Sequence, residues 1–370
     1  MRVLVTGGSG FIGSHVVDAL VERGHDVISL DAHVPGAHLG RPGYLRADVE
    51  HREADLRNIE AVRSAARGVD AVCHQAAKVG LGVDLGDVDD YVSHNDLGTA
   101  MLLRALHERR FRGPIALASS MVVYGEGQYR CRTHGVVRPG PRRVEDLRAG
   151  RYEHACPACA EAVVAEAIGE DSHLDPRSVY AATKLHQEHL CRAYAVERGS
   201  PVAALRYHNV YGPRMARDTP YAGVAGIFRS ALERGEPPIV LEDGLQRRNF
   251  IHVTDVAAAN VLALEAAADG AFNIASDAPR TVGEMAEALA RAFGAGAPRP
   301  RVVGGSRPGD VRHVFASPSK AARELGFRST VGFDDGMREF ARAPLRGSQI
   351  VASRTPAATS PSTSAATASR

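Results

Sequence analysis

The segment Thr6–Gly13, TGGSGFIG, lies between a short β-branched apolar run and an amphipathic stretch, Phe11–Arg23. The apolar run predicts a strand, and the apolar residues of the stretch recur at helical spacing. Gly7, Gly10 and Gly13 permit a tight turn, a close approach of the backbone to a pyrophosphate, and close packing of the helix on the strand. Free N–H groups at the helix N-terminus would then face the phosphates. The spacing therefore predicts a dinucleotide-binding loop; glycines that serve only turns are the simpler alternative.

Two acids follow strands of the same predicted sheet. Asp31 ends the second strand, 18 residues beyond Gly13. A carboxylate there accepts a hydrogen bond from the 2′-hydroxyl of an adenosine ribose and repels a 2′-phosphate, so the sequence favours NAD over NADP. Asp48 ends the third predicted strand, Tyr44–Asp48. It is either a partner of the adenine amine or an acid in a surface turn.

Strand and helix patterns alternate through the first 120 residues, as they do in a parallel sheet covered by helices on both faces. The predicted strands are Arg2–Thr6, Asp26–Leu30, Tyr44–Asp48, Ala71–Gln75 and Pro114–Ser119, and the helices include Phe11–Arg23 and Asn95–Arg109. After a long interruption, a helix at Tyr180–Glu197 and a strand at Val202–Arg206 resume the alternation. The predicted fold class is α/β: a doubly wound, Rossmann-type parallel sheet with a smaller C-terminal α/β lobe and a long inserted loop.

The predicted boundaries divide the chain into four parts. They are a dinucleotide-binding domain of residues 1–125 and 178–210, an insert of residues 126–177, the smaller lobe of residues 211–345, and a tail of residues 346–370. The predicted strands of the lobe are Ile239–Leu241, Phe250–His252 and Ala271–Ile274, and its helices are Gly223–Arg234, Val253–Ala267 and Val282–Phe293. The 25 residues of the tail include 18 Ser, Thr, Ala or Pro and no acid. Because such a composition cannot bury a core, we expect a disordered tail.

Composition excludes several classes of protein. With 45 basic and 43 acidic residues the formal net charge is +2, so no charge excess points to nucleic acid or to a membrane surface. No apolar run reaches the roughly 18 residues that a membrane-spanning helix needs. The N-terminus begins with MRVLVTGG, without the pattern of a signal peptide. We therefore expect a cytoplasmic protein with no nucleic-acid or membrane partner.

Tyr180 and Lys184 are four residues apart in a predicted helix, so their side chains share one face. An unperturbed tyrosine titrates at about pH 10, and a nearby ammonium favours the phenolate that a base near neutrality requires. Ser120 lies at the carboxyl edge of the sheet, where ligands bind in doubly wound folds, and can hydrogen-bond a reacting oxygen. The three residues predict a proton-transfer site; a surface pair on a helix is the alternative for Tyr180 and Lys184.

The chain resembles the extended short-chain dehydrogenase/reductase family in six motifs: TGGSGFIGSH, HQAA at 74–77, SSMVVYG, YAATK, RYHNVYGP at 206–213 and RRNFIHVTDV at 247–256. More narrowly, these motifs resemble those of nucleotide-sugar epimerases and dehydratases. The resemblance extends to about Ala343 and is interrupted by the insert. It implies that Tyr180 is the catalytic base, with Ser120 and Lys184 beside it.

The resemblance also implies binding positions. NAD contacts are implied at Gly7, Gly10, Phe11, Ile12, Gly13, Asp31, Asp48, Val49, Ala76, Lys78, Asn95, Lys184 and His208. Contacts with a nucleotide-diphosphate sugar are implied at Ser120, Tyr180, Asn209, Arg248 and Arg307. The two arginines suit paired phosphate oxygens because a guanidinium donates in a fork. A homodimer is implied as well, formed through the helices near Asn95–Arg109 and Tyr180–Glu197.

The residues after Ser120 narrow the reaction. The similar sugar 4,6-dehydratases carry an Asp-Glu pair there, whereas this chain has Met121 and Val122, which cannot transfer protons. A 4-epimerase needs only the base Tyr180, a retained NAD and room for a 4-keto sugar to turn. An NAD(P)H-dependent 4-keto-sugar reductase shares the same three residues, but Asp31 disfavours NADPH. A non-catalytic, NAD-sensing scaffold would not be expected to retain Ser120, Tyr180 and Lys184 together. The expected function is that of an NAD-dependent nucleotide-sugar 4-epimerase.

The insert holds three of the five cysteines. The pairs Cys131-x2-His134 and Cys156-x2-Cys159, 21 residues apart, have the ligand types and spacing of a tetrahedral zinc site. His154 is an alternative fourth ligand, and incidental cysteines are the simpler explanation. Four protein ligands leave no open position, so the predicted zinc is structural and the insert is zinc-ribbon-like. A cysteine-bearing insert at this place also resembles the bacterial dTDP-L-rhamnose 4-epimerase group, which implies a dTDP-6-deoxy-hexose such as dTDP-L-rhamnose as substrate.

Overall fold

A computed structural model of the protein describes residues 1–35, 37–80, 85–217, 223–307 and 310–347. The tail that the sequence predicts to be disordered, 346–370, lies outside these residues from position 348 onward. Among the helices of the described ranges, none combines the length and the apolar character needed to cross a membrane.

Strands and helices alternate along most of the chain. The strands are β1 (Arg2–Thr6), β2 (Asp26–Asp31), β3 (Glu50–Glu53), β4 (Ala71–His74), β5 (Ile115–Ser120), β6 (Gln128–Cys131), β7 (Gly135–Val137), β8 (Val164–Glu166), β9 (Val202–Tyr207), β10 (Asn209–Tyr211), β11 (Ile239–Leu241), β12 (Arg247–Arg248), β13 (Phe250–His252), β14 (Gly270–Ile274), β15 (Arg280–Thr281) and β16 (Arg301–Gly304). The α-helices are α1 (Phe11–Glu22), α2 (Ile59–Ala65), α3 (Val88–Tyr91), α4 (Gly98–Glu108), α5 (Val144–Arg148), α6 (Val179–Arg198), α7 (Val224–Glu233), α8 (Val253–Glu265), α9 (Val282–Phe293), α10 (Ser319–Leu325) and α11 (Phe333–Arg342). Short 3-10 turns lie at Leu85–Asp87 and Met121–Tyr124, and a π-helical stretch, Val92–Leu97, joins α3 to α4.

Seven parallel strands form the central sheet, in the order β3-β2-β1-β4-β5-β9-β14. The first strand of the chain pairs with β2 on one side and with β4 on the other. The strand order therefore reverses between β1 and β4, which is where ligands bind in doubly wound folds. This topology confirms the predicted Rossmann-type sheet.

Two strands differ from their predictions. The third strand is β3, not Tyr44–Asp48. It is an edge strand of sequence EHRE with exposed or half-buried side chains, so it lacks the apolar pattern from which strands are predicted. The predicted strand Ala271–Ile274 exists as β14, but it forms the other edge of the central sheet, beside β9, instead of belonging to the smaller lobe. The chain passes through that lobe before it returns to the sheet.

Apolar side chains cover both faces of the central sheet. On one face, α1 and α8 contribute Leu20 and Val256, among others, to a core that includes residues of β1, β4, β5 and β9. On the other face, α2, α4 and α6 contribute Val62, Leu102 and Tyr194. Helices on both faces hold the strands in place, so the residues at their carboxyl ends have defined positions.

The smaller lobe and the insert have apolar clusters of their own. In the lobe, α7, α9 and α11 pack around a cluster that includes Phe228, Leu289 and Phe340. The insert forms a three-stranded antiparallel sheet in the order β7-β6-β8, with α5 between β7 and β8 in sequence. Tyr129 of β6 and Val137 of β7 are buried in one cluster with two of the cysteines, Cys131 and Cys156.

Candidate active site and metal cluster

The glycine-rich loop turns the chain from β1 into α1 at the point where the strand order reverses. Gly7 has a φ of 69°, and a Cβ added there would lie 2.7 Å from the backbone nitrogen of Ala76. A Cβ at Gly13 would lie 2.0 Å from the carbonyl oxygen of Gly7. Larger residues at either position would therefore open the loop. Helix α1 begins at Phe11, directly after Gly10, so its first N–H groups lie at this crevice.

Asp31 lies at the carboxyl end of β2, next to the glycine-rich loop. Its carboxylate accepts hydrogen bonds from the N–H groups of Ser9 (3.0 Å) and His33 (2.9 Å). His38 packs edge-on against His33. Burial, aided by the charge of Arg346, lowers the pKa of His38 to about 4, so this imidazole is neutral near pH 7. The negative charge of Asp31 is thus held where the ribose of a dinucleotide lies in this fold.

Asp48 and Val49 precede β3 instead of following it, so the reason for choosing them is wrong. Asp48 is exposed and forms an ion pair with Arg46, with an N–O distance of 2.7 Å. The acid that follows β3 is Asp55, and the residue after it, Leu56, is buried. Both pairs consist of an aspartate followed by an apolar residue, so only the position of β3 distinguishes them. Asp55 is likewise paired with an arginine, Arg57, at 2.6 Å; Asp55 and Leu56 are the candidates that the position of β3 adds and that no sequence pattern indicates.

Ser120, Tyr180 and Lys184 come together at the carboxyl end of β5. Ser120 is the last residue of β5, and Tyr180 lies in the first turn of α6, which Ser178 caps. Ser120 Oγ accepts a hydrogen bond from the backbone N–H of Val122 (3.3 Å), and the Ser120 hydroxyl lies beside the Tyr180 phenol. One turn further along α6, Lys184 is buried, and its Nζ donates a hydrogen bond to the carbonyl oxygen of Ala118 (2.8 Å).

Burial opposes charge on both titratable groups of this cluster. It raises the pKa of Tyr180 to about 12, although the neighbouring Ser120 hydroxyl acts in the opposite direction. It lowers the pKa of Lys184 to about 8, against the attraction of nearby acidic groups such as Glu188. At pH 7 Tyr180 is therefore a neutral phenol, and Lys184 is mainly an ammonium. Any further positive charge brought beside Tyr180 would favour its phenolate.

Asn95 is fully buried in the π-helical stretch and holds the loop after β4 against α6. Its Oδ1 accepts a hydrogen bond from the N–H of Lys78 (2.7 Å), and its Nδ2 donates to the carbonyl of Lys78 (3.0 Å) and to Thr183 Oγ1 (2.9 Å). The Nζ of Lys78 lies 2.7 Å from the Asp90 carboxylate. Since both amide hydrogens of Asn95 are used within the protein, the residue is placed to position Lys78 and the Tyr180 turn. π-Helical turns are rare and occur frequently at functional sites.

His208 and Asn209 follow β9 at the same edge of the sheet. His208 is 4% exposed, and neither of its ring nitrogens has a hydrogen-bond partner among the described residues. The same is true of Asn209 Oδ1. Burial, followed by the charge of Arg248, lowers the pKa of His208 to about 3, so its imidazole is neutral. Buried polar groups are rarely left without partners, and these two therefore point to a polar ligand at this edge.

The two arginines expected to bind phosphates differ in their surroundings. Arg248 is 6% exposed, and its guanidinium donates hydrogen bonds to the carbonyl oxygens of Val311 (2.7 Å) and Arg312 (2.8 Å). Its Nη2 also lies 3.8 Å from the carboxylate of Asp310. Arg307 is exposed and directly precedes residues 308–309, which lie outside the described ranges. Arg248 is thus held against the segment that follows Arg307.

Four potential metal ligands converge in the insert. The ligand atoms of Cys131, His134, Cys156 and Cys159 all lie within 4.8 Å of one another. Cys131 Sγ is 3.6 Å from His134 Nδ1 and 3.7 Å from Cys159 Sγ, and Cys156 Sγ is 3.6 Å from His134 Nδ1. Zinc bonds of about 2.3 Å to sulfur and about 2.0 Å to nitrogen, at tetrahedral angles, separate ligand atoms by about 3.5–3.8 Å. The donor set therefore fits zinc.

His154 has a different partner. Its Nε2 lies 3.0 Å from the carboxylate of Glu126, and its ring packs edge-on against Tyr129. The structure therefore favours His134 over His154 as the fourth ligand. All cysteines of the described residues are free thiols, and the sulfur separation of 3.7 Å between Cys131 and Cys159 is far longer than a disulfide bond.

A buried ionic cluster, which the sequence analysis did not identify, joins the insert to the smaller lobe. The side chain of Arg312 is fully buried and contacts Glu153 of the insert (2.8 Å) and Glu242 of the lobe (3.0 Å). Arg142 of the insert is also paired with Glu242, at 2.7 Å. These residues are far apart in sequence, so no local pattern predicts their contact. The cluster holds the insert against the segment that follows Arg307.

The model of the NAD-dependent epimerase/dehydratase family matches residues 3–143 and 153–275 of the chain. The chain belongs to this family. The resemblance found in the sequence motifs is thereby confirmed.

Known members of the family extend this result. The chain is 32% identical to the dTDP-L-rhamnose 4-epimerase of Burkholderia thailandensis over 346 residues, which cover 91% of this chain and 93% of that protein. Its fold is similar to that of the UDP-glucose 4-epimerase of Thermus thermophilus in complex with NAD, with a TM-score of 0.73, 31% identity and coverage of 92% and 98% of the two chains. The UDP-glucuronic acid 4-epimerase of Bacillus cereus, in complex with UDP-glucuronic acid and NAD, is similar with a TM-score of 0.73, 26% identity and the same coverage. This family member is thus an NAD-dependent enzyme of the nucleotide-sugar epimerase type.

Proposed function

We propose that the protein is a 4-epimerase of a nucleotide-diphosphate sugar and that its substrate is a dTDP-6-deoxy-hexose such as dTDP-L-rhamnose. The reaction is inferred from the neighbouring Ser120 and Tyr180 side chains with buried Lys184 one turn away. The next residues, Met121 and Val122, have no proton to transfer to a leaving hydroxyl, which argues against dehydration. The 32% identity with the dTDP-L-rhamnose 4-epimerase of Burkholderia thailandensis supports the substrate.

In this proposal each of the three residues has one role. The Ser120 hydroxyl hydrogen-bonds the O4 oxygen of the sugar and keeps it beside Tyr180. Tyr180 accepts the proton of the C4 hydroxyl, and Lys184 favours the phenolate through its positive charge. When bound, NAD supplies the oxidant for C4 and, in the return step, the reductant. After the 4-keto sugar has turned, Tyr180 gives its proton back as the alcohol of opposite configuration forms, and no net redox change occurs.

The cofactor and substrate residues are assigned by the same proposal. The cofactor lies along Gly7, Gly10, Phe11, Ile12, Gly13, Asp31, Ala76, Lys78, Lys184 and His208, with Asp55 and Leu56 in place of Asp48 and Val49. The sugar nucleotide contacts Asn209, Arg248 and Arg307 in addition to Ser120 and Tyr180. The dinucleotide-binding domain then comprises residues 1–125 and 178–210 together with α8 and β14, and the smaller lobe binds the nucleotide.

We also propose that the insert binds zinc as a structural ion. The residues that would hold it are Cys131, His134, Cys156 and Cys159. Four protein ligands complete a tetrahedral shell, so the ion would have no position for substrate. Its role would be to stabilise the insert, which contacts the smaller lobe through Arg142 and Glu153.

We propose a homodimer whose interface is formed by the helices near Asn95–Arg109 and Tyr180–Glu197. Val92 and Leu97 are each 44% exposed before α4, and Val196 on α6 is 74% exposed. Apolar side chains on neighbouring helices are the kind of surface that a second copy covers. Light scattering coupled to size-exclusion chromatography would give twice the mass of one chain if the proposal is correct.

The reaction is tested with the purified protein and no added cofactor. We would incubate it with dTDP-L-rhamnose and with UDP- and GDP-sugars, and follow the configuration at C4 by NMR, with the Tyr180→Phe variant as control. Interconversion of a C4 pair without net NADH supports the epimerase, and a dTDP-sugar as the best substrate supports the finer assignment. Turnover of UDP- or GDP-sugars alone would overturn the dTDP assignment. Reduction of a 4-keto sugar by added NADH or NADPH without epimerisation would contradict the epimerase itself.

A further inference from the structure

The last described residues lie beside the glycine-rich loop. The N–H of Arg346 donates a hydrogen bond to the carbonyl of Met215 (2.9 Å), and the N–H of Arg217 donates to the carbonyl of Arg346 (2.9 Å). This segment therefore forms a short parallel bridge with Ala216. The bridge brings the Arg346 guanidinium to the loop, where its Nη1 lies 3.9 Å from the position that a Cβ of Gly10 would occupy.

The guanidinium of Arg346 has no anionic partner in the described part of the chain. Its Nε and Nη1 atoms are buried, and neither has a hydrogen-bond partner there. The Tyr44 hydroxyl, which lies near the guanidinium, is neutral and donates its own hydrogen to the carbonyl of Ser9 (2.7 Å). The acid beside the loop, Asp31, accepts hydrogen bonds from the backbone N–H groups of Ser9 and His33.

Buried donors of a cation without an anionic partner are costly, because they lose their hydration and gain no compensating charge. The position of Arg346, a half-buried residue whose Nε and Nη1 atoms are buried, therefore indicates an anion that no described side chain provides. The glycine-rich loop, with the first N–H groups of α1 beside Gly10, is the phosphate-binding part of a dinucleotide site. Arginine suits phosphate because its planar guanidinium can donate to two oxygens at once.

We propose that Arg346 is a phosphate-binding residue of the cofactor site. Its guanidinium and the glycine-rich loop together hold the pyrophosphate of NAD. This inference rests on the NAD site of the proposed function and adds a residue from the far end of the chain to it. A 2′-phosphate on the adenosine ribose has the same chemistry. The Asp31 carboxylate at the ribose end of the site repels that group, so the pyrophosphate is the assigned anion.

The arrangement has a consequence for how the cofactor is kept. An epimerase uses the same NAD in both halves of its reaction, so loss of the cofactor in between would leave the sugar oxidised. Arg346 joins the segment after α11 to the loop at Met215–Arg217, and a pyrophosphate bound to the guanidinium would link both to β1 and α1. We therefore expect Arg346 to contribute to cofactor retention rather than to the chemistry at C4.

The test compares ligands with and without phosphate on protein from which NAD has been removed. Affinities for NAD, NADP, ADP and adenosine would be measured by titration calorimetry or NMR for the wild type, Arg346→Ala and Arg346→Lys. The matched control is Arg342→Ala, which removes an exposed arginine at the end of α11. Loss of a charge-assisted contact predicts that Arg346→Ala raises the Kd for NAD and for ADP about tenfold or more. The Kd for adenosine stays unchanged, Arg346→Lys is intermediate, and Arg342→Ala matches the wild type.

Several results would overturn this assignment while the proposed function stands. In one such result, Arg346→Ala binds NAD and ADP as tightly as the wild type does. In another, Arg346→Ala weakens only the binding of NADP, so that the residue contacts the 2′-phosphate instead of the pyrophosphate. A parallel loss of adenosine binding would show that Arg346 only maintains the fold of the loop, and would overturn it as well. If the wild type itself binds neither NAD nor ADP, the proposed function fails and the inference fails with it.

Discussion

Lys184 carries a charge in the protein interior. We expect its replacement by methionine to have opposite effects on the free energy of unfolding and on catalysis. Burial lowers its pKa from 10.5 to about 8, which at about 1.4 kcal/mol per pKa unit destabilises the folded protein by about 3 kcal/mol at pH 7. Lys184→Met removes this cost but leaves the Ala118 carbonyl, now 2.8 Å from Nζ, without its donor. An unsatisfied buried acceptor costs about 1–3 kcal/mol. We therefore expect Lys184→Met to be about 0–2 kcal/mol more stable than the wild type at pH 7.

The difference depends on pH in a defined direction. Because the pKa of Lys184 is lowered by folding, the folded protein releases this proton before the unfolded chain does, and the wild type gains stability as the pH rises from about 8 to 10.5. The burial cost is fully present below about pH 8. The advantage of Lys184→Met should consequently shrink by about 2–3 kcal/mol between pH 7 and pH 10.

Urea unfolding at pH 7 and pH 10 measures this change, and the C4 interconversion assay measures activity. Loss of the charge beside Tyr180 should slow epimerisation about 100-fold or more. Lys320→Met is the matched control, because Lys320 Nζ also donates to a carbonyl, that of Ala271 (2.9 Å), but at the far edge of the sheet. The control should keep full activity. The reasoning is refuted if Lys184→Met is destabilised by the same amount at both pH values, or if it remains fully active.

Three further predictions concern other parts of the molecule. Tyr180→Phe should lower kcat about 100- to 10,000-fold, while NAD remains bound, as absorbance of the released cofactor will show. Cys159→Ser, at an exposed position, should abolish zinc binding, as measured by mass spectrometry, and should lower Tm. The control Cys191→Ala should retain the metal. Zinc retained in Cys159→Ser would contradict the proposed site. Asp55→Ala should weaken NAD binding in calorimetric titrations, and Asp48→Ala should not. The reverse result would favour Asp48 as the cofactor-binding acid.

The features predicted from the sequence are those whose evidence lies within a few neighbouring residues. The glycine spacing from Gly7 to Gly13 is recognisable because a tight turn into a helix requires it over one short stretch. Tyr180 and Lys184 are recognisable because a helix brings residues four apart onto one face. The metal cluster was predicted from two short pairs of ligands, although only the fold of the insert brings Cys131 within 3.7 Å of Cys159.

The errors share a different cause. β3 is a charged edge strand that is specified by pairing with β2, not by an apolar pattern of its own, so the third strand was predicted too early in the chain, with Asp48 at its end. β14 looks like an element of the smaller lobe in sequence order, yet it pairs with β9. In both cases the decisive contact is made with a strand that is not the next in the chain, and a linear pattern contains no information on it.

By itself, the sequence determined the fold class and predicted the dinucleotide-binding loop, the Ser120, Tyr180 and Lys184 set and the four members of the cysteine and histidine cluster, because local spacing encodes each of them. Only the tertiary structure decided which acid follows the third strand, that His154 pairs with Glu126 instead of joining the metal ligands, and that Arg346 reaches the loop at Gly10. These contacts join residues that are distant along the chain. They form only when the sheet, the insert and the lobe pack together, because that packing decides which side chains are buried and which charged groups lie next to each other.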